Sequence, residues 1–484
     1  MHYIRLLRPP ALVPANGASR NGLPSLSLVL TITTDLGDSF LCPGAPINLV
    51  VELQVEADDE VDDEDDEEDA AENGDEENGS QNKRTQPKTH LFSLATTAVG
   101  NAKKNKPAQG GDLAWKAGLR VLKLEAALPK EAAAFWNSDD VKKLCIRAAN
   151  ANISATHARQ IIYPTESSSG SVGGNGLIMP LWVDVPDAVI HSGELFPHVA
   201  LRRLEISPDE GNTAAVEVEE EIGESIARHV WDAGLVSVAF LADTCLGKLK
   251  SAPKASHNSK KRPHDGDEDD DPHSKETQVS ILKTMLRPQK KDDNATLRVL
   301  ELGSGVGILG IGLAKILHEA AKVADPSAAV DYRGATVLLT DLPEAEERAR
   351  SNMALLDFAP LDTIRLEYAN LDWQDGHLGH FGPGVVASPP QPFDLVMLSD
   401  CTYNVDMLPA LVGTLSALQT ATNQTTQRVL LTKKTRHESE ELLFILLKDA
   451  GWKMLAGGGH PIRLPVLDDN DEQTIEVFIF ERTI

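Results

Sequence analysis

The chain has 484 residues and a formal net charge of −27, from 46 Lys and Arg against 73 Asp and Glu. Hydrophobic residues make up 41% and charged residues 25%, which excludes wholesale disorder. An acid excess of this size argues against a general binder of nucleic acid or of anionic membranes, because both carry negative charge, and it favours a basic partner.

The first 205 residues are predicted to form a β-rich accessory region. Apolar and polar residues alternate over 26–33 and 49–55, which is typical of half-buried strands. Further candidate strands are 119–124, 153–163 and 177–185. No constellation of catalytic residues is visible in this region.

An acidic segment interrupts this region. Sixteen acidic residues and no basic one lie between Glu56 and Glu77, which is more than half of the net negative charge. Such a composition cannot bury apolar surface, so we expect residues 56–82 to be disordered. A solvated linker and a docking tail for a basic protein are both consistent with it.

The four cysteines, at positions 42, 145, 245 and 401, show no C-x-x-C spacing. They predict neither a disulfide framework nor a metal site, and they suit a reducing compartment. No apolar run approaches the ~18 residues that span a bilayer. We therefore expect a soluble cytoplasmic protein without a membrane contact.

From residue 216 a second region is predicted, extending to residue 484. Apolar residues at helical spacing, from Ile222 through Val230 to Leu241, follow the acidic Glu219–Glu221 and predict an amphipathic helix. A low-complexity insertion follows over 247–294, first basic and then acidic. Its cluster Lys260-Lys261-Arg262-Pro263 is a candidate nuclear-import signal, so the protein could also be nuclear.

The rest of the chain alternates strand and helix. Strands are predicted at 298–302, 336–341, 363–371, 393–400, 428–433, 452–455 and 475–480, and helices at 308–324, 344–356, 407–419 and 439–450. This order predicts an α/β fold, a Rossmann-like sheet of seven mostly parallel strands with helices on both faces. The last two strands are expected to form a hairpin.

The first of these strands runs into Glu301-x-Gly303-x-Gly305. Glycines let the backbone turn sharply and approach a ligand closely ahead of a helix. The spacing Gly305-x-Gly307-x-x-Gly310 also satisfies the dinucleotide fingerprint. A pyrophosphate would be repelled by Glu301, whereas the ammonium and sulfonium of S-adenosylmethionine would be attracted. The sequence favours S-adenosylmethionine as cofactor, with dinucleotide binding or a turn without a ligand as alternatives.

Two further side chains follow neighbouring strands. Asp341 closes the second strand, where an acid can accept hydrogen bonds from ribose hydroxyls. Helix capping is a compatible role for the same residue. Trp373 follows the third strand, where an indole could stack on adenine or belong to the core.

The fourth strand ends at Ser399 and continues into Asp400-x-x-Tyr403. This motif resembles the seven-β-strand protein methyltransferases, which are mostly lysine-directed enzymes acting on chaperones, elongation factors and other non-histone proteins. The resemblance covers about 216–482 and rests also on Glu301-x-Gly303-x-Gly305, Asp341, Leu371-x-Trp373 and Trp231. It implies that the region 216–484 is an S-adenosylmethionine-dependent methyltransferase domain.

The resemblance also implies roles for individual residues. Asp400 and Tyr403 would face the methyl acceptor, and Asp400 would attract an incoming ammonium. The methionine, ribose and adenine parts of the donor would be held by Trp231, Glu301, Gly303, Gly305, Asp341, Trp373 and Ser399. Cys401 is expected to be a bystander.

The predicted function is therefore methyl transfer from S-adenosylmethionine to a lysine side chain of a non-histone protein. Two alternatives stay open. One is a small-molecule N-methyltransferase, and the other is a non-catalytic adaptor that uses a methyltransferase-like fold. Neither the acceptor nor the oligomeric state follows from the sequence.

Overall fold

The structure is a computed structural model. It describes residues 1–13, 24–57, 88–99, 113–135, 141–163, 176–186, 195–207, 214–223, 228–247, 277–287, 296–324, 334–356, 363–456, 458–465 and 473–484. Most of the predicted acidic segment and the candidate nuclear-import signal lie outside these residues.

The N-terminal region contains two mainly antiparallel sheets. Its strands are β1 (His2–Leu6), β2 (Ala11–Val13), β3 (Ser25–Thr33), β4 (Ile47–Ala57), β5 (Lys88–Ser93), β6 (Ala95–Ala98), β7 (Ala114–Trp115), β8 (Leu122–Ala127), β9 (Val141–Ala148), β10 (Ile178–Met179), β11 (Leu181–Asp184), β12 (Val199–Glu205) and β13 (Ala215–Glu221). The first sheet has the order β10-β1-β3-β8-β6, and the second has the order β13-β12-β11-β9-β4-β5; β2 pairs with β3, and β7 pairs with β4. Apolar residues of both sheets form one buried core, including Ile4, Leu28, Leu53 and Leu144.

The strands predicted at 26–33 and 49–55 are confirmed, and the one predicted at 119–124 lies slightly later, as β8. The segment 177–185, predicted as one strand, forms the two short strands β10 and β11 on either side of Pro180, and they belong to different sheets. The strand predicted at 153–163 is wrong, because the chain there forms a 3-10 turn and the short helix α1 (Ala158–Ile162). The Gln160 side-chain oxygen accepts hydrogen bonds from the backbone N–H of Thr156 and His157. Such a cap favours a helix over an alternating strand.

The start of the second region also differs from the prediction. The acidic residues expected to lead into the helix at Ile222 belong to a strand, since β13 pairs antiparallel with β12. In β13 the side chains of Val216, Val218 and Glu220 alternate as buried positions, which is the period of a strand rather than of a helix. The helix, α2, begins only at Asp232 and ends at Leu246.

The third sheet follows the Rossmann-like order. Its strands are β14 (Leu297–Leu302), β15 (Ala335–Asp341), β16 (Ile364–Asn370), β17 (Leu395–Ser399), β18 (Thr426–Lys434), β19 (Lys453–Met454), β20 (His460–Arg463) and β21 (Thr474–Thr483). The order is β16-β15-β14-β17-β18-β21, and the short β19 and β20 both pair with β21. The first five strands are parallel and β21 is antiparallel. The described sheet thus has eight strands where seven were predicted, because β20, which contains Pro461, was assigned to a loop.

Helices cover both faces of this sheet. They are α2, α3 (Gln278–Leu286), α4 (Ile308–Ala324), α5 (Pro343–Ala354), α6 (Trp373–Gly376), α7 (Leu408–Ala421) and α8 (Leu442–Asp449). Residues of α2 and α4 share a core with Val299 and Val337, whereas α7 and α8 pack over Leu300 and Leu398. Neighbouring residues of one strand therefore face opposite layers, as in a sheet buried on both sides.

Part of the predicted insertion at 247–294 is ordered structure. Helix α3 begins after a Thr277 cap, and Ile281 and Leu282 are buried in the core that contains α2. The same core includes Tyr3 and Ile161 of the N-terminal region. The division of the chain into regions 1–205 and 216–484 stays a prediction. None of the described helices is long and apolar enough to cross a membrane.

Candidate active site

The carboxyl ends of β14 and β17 mark the crevice where a ligand is expected. Strand β14 pairs with β15 on one side and with β17 on the other, so the strand order reverses between β14 and β17. In open α/β sheets, ligands bind outside the carboxyl ends of the strands at such a switch point. The residues after β14, β15, β16 and β17 therefore form the candidate site.

The loop after β14 depends on glycine. Gly303, Gly305 and Gly307 have φ values of 70°, 54° and 87°, a region that other residues rarely adopt. A Cβ atom on Gly303 would lie 2.7 Å from Cys401 Sγ and 3.2 Å from Trp373 Cζ2. Glycine thus allows the loop to lie directly against residues that follow β16 and β17.

Glu301 is the most unusual group of the site. Its side chain is buried, and its Oε2 accepts a hydrogen bond of 2.8 Å from Gly310 N in the first turn of α4. No described residue donates a hydrogen bond to its Oε1. Burial raises the pKa of Glu301 to about 8, against the opposing effect of the Gly310 hydrogen bond. A buried acceptor without a partner is costly, so this oxygen fits a ligand that brings a positive donor group.

Asp341 connects the residues that follow β14 with those that follow β15. Its Oδ2 accepts a 2.7 Å hydrogen bond from Gly305 N, and its Oδ1 accepts one of 2.7 Å from Leu342 N. Burial raises the pKa of Asp341 despite these two hydrogen bonds. Each carboxylate oxygen can accept more than one hydrogen bond, so the side chain can both hold the loop and receive ribose hydroxyls.

Trp373 is fixed at the end of β16. It is the first residue of α6, whose N-terminus is capped by Asp372. Thr414 of α7 donates a 3.0 Å hydrogen bond from Oγ1 to the Trp373 carbonyl. The indole is partly buried against the α7 side of the core and lies beside Gly303, where a planar ring can border a base.

Asp400 follows β17 in a left-handed conformation, with a φ of 51°. Its Oδ2 lies 2.9 Å from Ala233 N and 3.2 Å from Arg436 Nη2, and its Oδ1 accepts a 3.3 Å hydrogen bond from Lys434 N. The side chain is only 6% exposed. Burial raises the pKa of Asp400 to about 6, although Arg436 counteracts it. The carboxylate is therefore enclosed by the first turn of α2 and the end of β18.

Tyr403 lies at the surface, with 63% of its area exposed. The residues before it are anchored, since Thr402 Oγ1 donates a 2.8 Å hydrogen bond to Glu440 Oε2. Burial raises the pKa of Cys401 well above its ordinary value, so its thiol stays protonated. The Asp400-x-x-Tyr403 loop is thus anchored through Thr402, and it exposes the Tyr403 ring to solvent.

Trp231 and Ser399 flank the start of α2. Trp231 directly precedes α2, and the Arg436 guanidinium lies over its ring at 5.4 Å from the centroid. Ser399 ends β17 and neighbours Gly234 of α2. The structure thus brings Trp231, Ser399 and Asp400 together around α2, while Gly303 contacts Trp373 and Cys401 across the switch point.

Four charged residues beside Asp400 were not predicted from the sequence: Asp35, Asp232, Lys434 and Arg436. Lys434 ends β18, so the strand-end rule that selected Asp341 could have found it and its neighbour Arg436. Asp35 follows a strand of the N-terminal region, and no sequence signal connects it with this site. No group of metal-ligating side chains occurs in the part of the chain that the structure describes.

A family model described as lysine methyltransferase matches residues 211–450. This segment, just under half of the chain, is thus similar to lysine methyltransferases. S-adenosylmethionine is accordingly the cofactor of this methyltransferase domain, which agrees with a carboxylate rather than a phosphate-binding group at the end of β14. No curated protein matches the chain.

Several solved structures are similar to part of the chain. A protein studied for the conversion of a disulfide bond into a thioacetal group during echinomycin biosynthesis is 16% identical over 39% of this chain and 77% of its own, with a TM-score of 0.25. The carbon methyltransferase DszA is 15% identical over 42% and 52%, with a TM-score of 0.27. TrmN from Thermus thermophilus is 20% identical over 38% and 44%, with a TM-score of 0.22.

Proposed function

We propose that the methyltransferase domain transfers a methyl group from S-adenosylmethionine to the side-chain nitrogen of a lysine in a non-histone protein. The observation that carries this proposal is the arrangement at the switch point. The buried Glu301, with one unpartnered oxygen, lies one residue before the end of β14, and the Asp400-x-x-Tyr403 loop follows the adjacent β17. The residues expected to bind the donor, including Glu301, form the donor half of the site. They lie beside the acceptor half, which is formed by Asp400 and Tyr403.

The donor half has a group for each part of the cofactor. The bound sulfonium supplies an electrophilic methyl carbon. Glu301 would hold the amino group of the methionine portion, because its free oxygen is buried where charge interactions are strong. Asp341 would accept hydrogen bonds from the ribose, and Trp373 would border the adenine. Trp231 and Ser399 would close the methionine side.

The acceptor half favours an amine. A lysine side chain has an ordinary pKa of about 10.4 and must lose a proton to solvent before its nitrogen can attack. The nitrogen would then bond to the methyl carbon as the bond from that carbon to the donor sulfur breaks. The exposed Tyr403 would make the first contact with the incoming side chain. Asp400 would supply the negative potential that attracts the ammonium, while its three contacts keep it in place. Alignment of the two reactants is worth about 7–11 kcal/mol of the barrier.

A protein acceptor suits the surface position of Tyr403 and the lysine methyltransferase family whose model matches residues 211–450. The net charge of −27 favours a basic acceptor protein over a nucleic acid. We place the reaction in the cytoplasm, with the nucleus as a second location. A small-molecule N-methyltransferase and a non-catalytic adaptor are the competing possibilities.

The test is incubation of the purified protein with labelled donor and a cell lysate. Label in a protein band supports the proposal, and label confined to small molecules would favour the first alternative. No transfer by a protein that does not bind the donor would favour the adaptor. Asp400→Asn is the variant expected to lose transfer. Asp406→Asn is its matched control, because Asp406 lies exposed in the following turn.

A further inference from the structure

Asp35 is a buried charge that the N-terminal region contributes to the acceptor end of the site. It follows β3 and is 2% exposed. Its carboxylate lies 2.9 Å from Arg436 Nη2 and 3.4 Å from Lys434 Nζ, and it accepts a 3.3 Å hydrogen bond from Asp232 N. A buried carboxylate with two cationic partners is expensive to enclose unless the geometry is well satisfied.

Arg436 connects this carboxylate to the predicted acceptor residue. Its Nη2 atom lies 2.9 Å from Asp35 Oδ2 and 3.2 Å from Asp400 Oδ2. The same guanidinium lies over the ring of Trp231, at 5.4 Å from the ring centroid. Its backbone N–H donates a 3.0 Å hydrogen bond to Glu440 Oε1. One planar group therefore contacts a residue of the N-terminal region and two predicted residues of the site.

The orientation of Arg436 depends on Asp35. A guanidinium is planar and can bridge two carboxylates, whereas an ammonium acts as a point charge. Lys434 Nζ is directed to Asp232 Oδ2, at 2.8 Å, so it does not replace Arg436 at Asp400. Asp35 contacts both terminal nitrogens of Arg436, Nη2 from Oδ2 at 2.9 Å and Nη1 from Oδ1 at 3.5 Å. Without the Asp35 charge, Arg436 would keep Asp400 as its acidic partner but would lose this two-point contact.

The position of Asp35 is itself fixed by the N-terminal sheet. Arg5 Nη2 of β1 donates a 2.8 Å hydrogen bond to the Asp35 carbonyl, and Leu36 N donates one of 3.0 Å to Asp35 Oδ1. Tyr3 of the same strand donates a 2.7 Å hydrogen bond from its hydroxyl to Asp232 Oδ1. Strand β1 therefore contacts both acids at the entrance to α2.

We infer that Asp35 is a positioning residue of the acceptor site, which acts through Arg436 to hold the carboxylate of Asp400. This inference rests on the proposed function, since it names a further residue that the reaction needs. It also gives the N-terminal β region a part in methyl transfer, exerted through Arg436.

The first experiment compares Asp35→Asn with Asp38→Asn in the full chain. Asp38 is an exposed acid of the same turn, and its Oδ1 accepts a 2.7 Å hydrogen bond from Thr34 Oγ1, which an Asn oxygen can also accept. We expect Asp35→Asn to lower kcat about 10- to 100-fold, the effect of a misplacement near 1 Å. The donor Kd, measured by calorimetry, should stay within about threefold because Glu301 and Asp341 are untouched. Asp38→Asn should keep the wild-type kcat.

The second experiment separates positioning from a general loss of stability. Arg436→Lys keeps the charge but removes the planar fork, so it should lower kcat to a similar extent. If Asp35 acts through Arg436, the double variant should be no slower than Arg436→Lys alone. A double variant whose loss in kcat equals the product of the two single losses would overturn the inference. If Asp35→Asn does not fold, an unchanged kcat in Arg436→Lys would overturn it equally.

The failure of the inference is distinguishable from that of the proposed function. If the wild-type chain transfers no methyl group to protein, the proposed function falls, and the inference falls with it. If the wild-type chain is active and Asp35→Asn has the same kcat per folded molecule, only the inference falls.

Discussion

Replacement of Glu301 by Gln is expected to stabilise the donor-free domain against alkaline pH while weakening its affinity for the donor. The Glu301 side chain is 1% exposed, and its Oε1 lacks a partner among the described residues. Gln keeps an oxygen that can accept the Gly310 hydrogen bond but carries no charge. The variant therefore removes the cost of ionising a buried carboxyl group and the attraction for a cationic ligand.

The sign and size of the stability effect follow from the pKa. Burial raises the pKa of Glu301 from 4.5 to about 8 in the folded protein, so the folded state binds the proton more tightly than the unfolded state. Stability is then lost as the pH rises from about 4.5 to about 8 and is constant above that range. At about 1.4 kcal/mol per unit, the loss between pH 5 and pH 8 is on the order of 3–4 kcal/mol.

The assay is thermal unfolding of wild type and Glu301→Gln at several pH values without the donor. A change of 1 kcal/mol shifts the Tm of a domain of this size by about 2–4 °C. The Tm difference between the two proteins should therefore move in favour of the variant by roughly 10 °C between pH 5 and pH 8. Other titrating groups are common to both proteins and largely cancel.

Calorimetry provides the second half of this prediction. Hydrogen bonds to charged groups contribute about 1.5–3 kcal/mol, so the variant should bind S-adenosylmethionine roughly 10- to 100-fold more weakly at pH 8. A Tm difference that does not change with pH would refute the assignment of a raised pKa. An unchanged donor affinity would refute the role of Glu301 at the amino group.

Three further outcomes are expected. Gly303→Ala should weaken donor binding and lower the free energy of unfolding more than Gly379→Ala does. Both positions have positive φ, but only at Gly303 would a Cβ atom clash, at 2.7 Å from Cys401 Sγ. The difference between the two losses of stability should be about 1–3 kcal/mol, and equal losses would contradict it. Asp400→Asn should reduce methyl transfer at least about 100-fold with a donor Kd near wild type, measured with labelled donor. Because burial raises the pKa of Asp400 to about 6, kcat/KM should fall as the pH drops below 6 and this carboxyl group takes up a proton; a flat profile would count against a charged Asp400.

Much of the fold was predictable because buried apolar positions recur in the sequence at the spacing of a helix or of a strand. The β14 to β18 strands and the helices between them were found from apolar runs and their spacing. The errors have local physical causes. A side-chain cap at Gln160 made a helix where alternation suggested a strand, and the helix predicted from Ile222 begins only at Asp232, after the strand β13.

The candidate site was partly predictable for a different reason. Parallel strands end at one edge of a sheet, so the sequence alone could assign Glu301, Asp341 and Asp400 to the same crevice. The contact of Asp35 with Arg436 could not be predicted, because it joins two regions far apart in the sequence. Hydrophobic patterns report which faces are buried, not which charged groups meet inside.

The central claim is methyl transfer to lysine, and the identity of the labelled amino acid tests it most directly. The protein, labelled S-adenosylmethionine and a cell lysate are combined, and the labelled protein is hydrolysed to amino acids. The account predicts label in methyl-lysine for the wild type and its absence with Asp400→Asn. Label in another methylated amino acid, or only in small molecules, would contradict it.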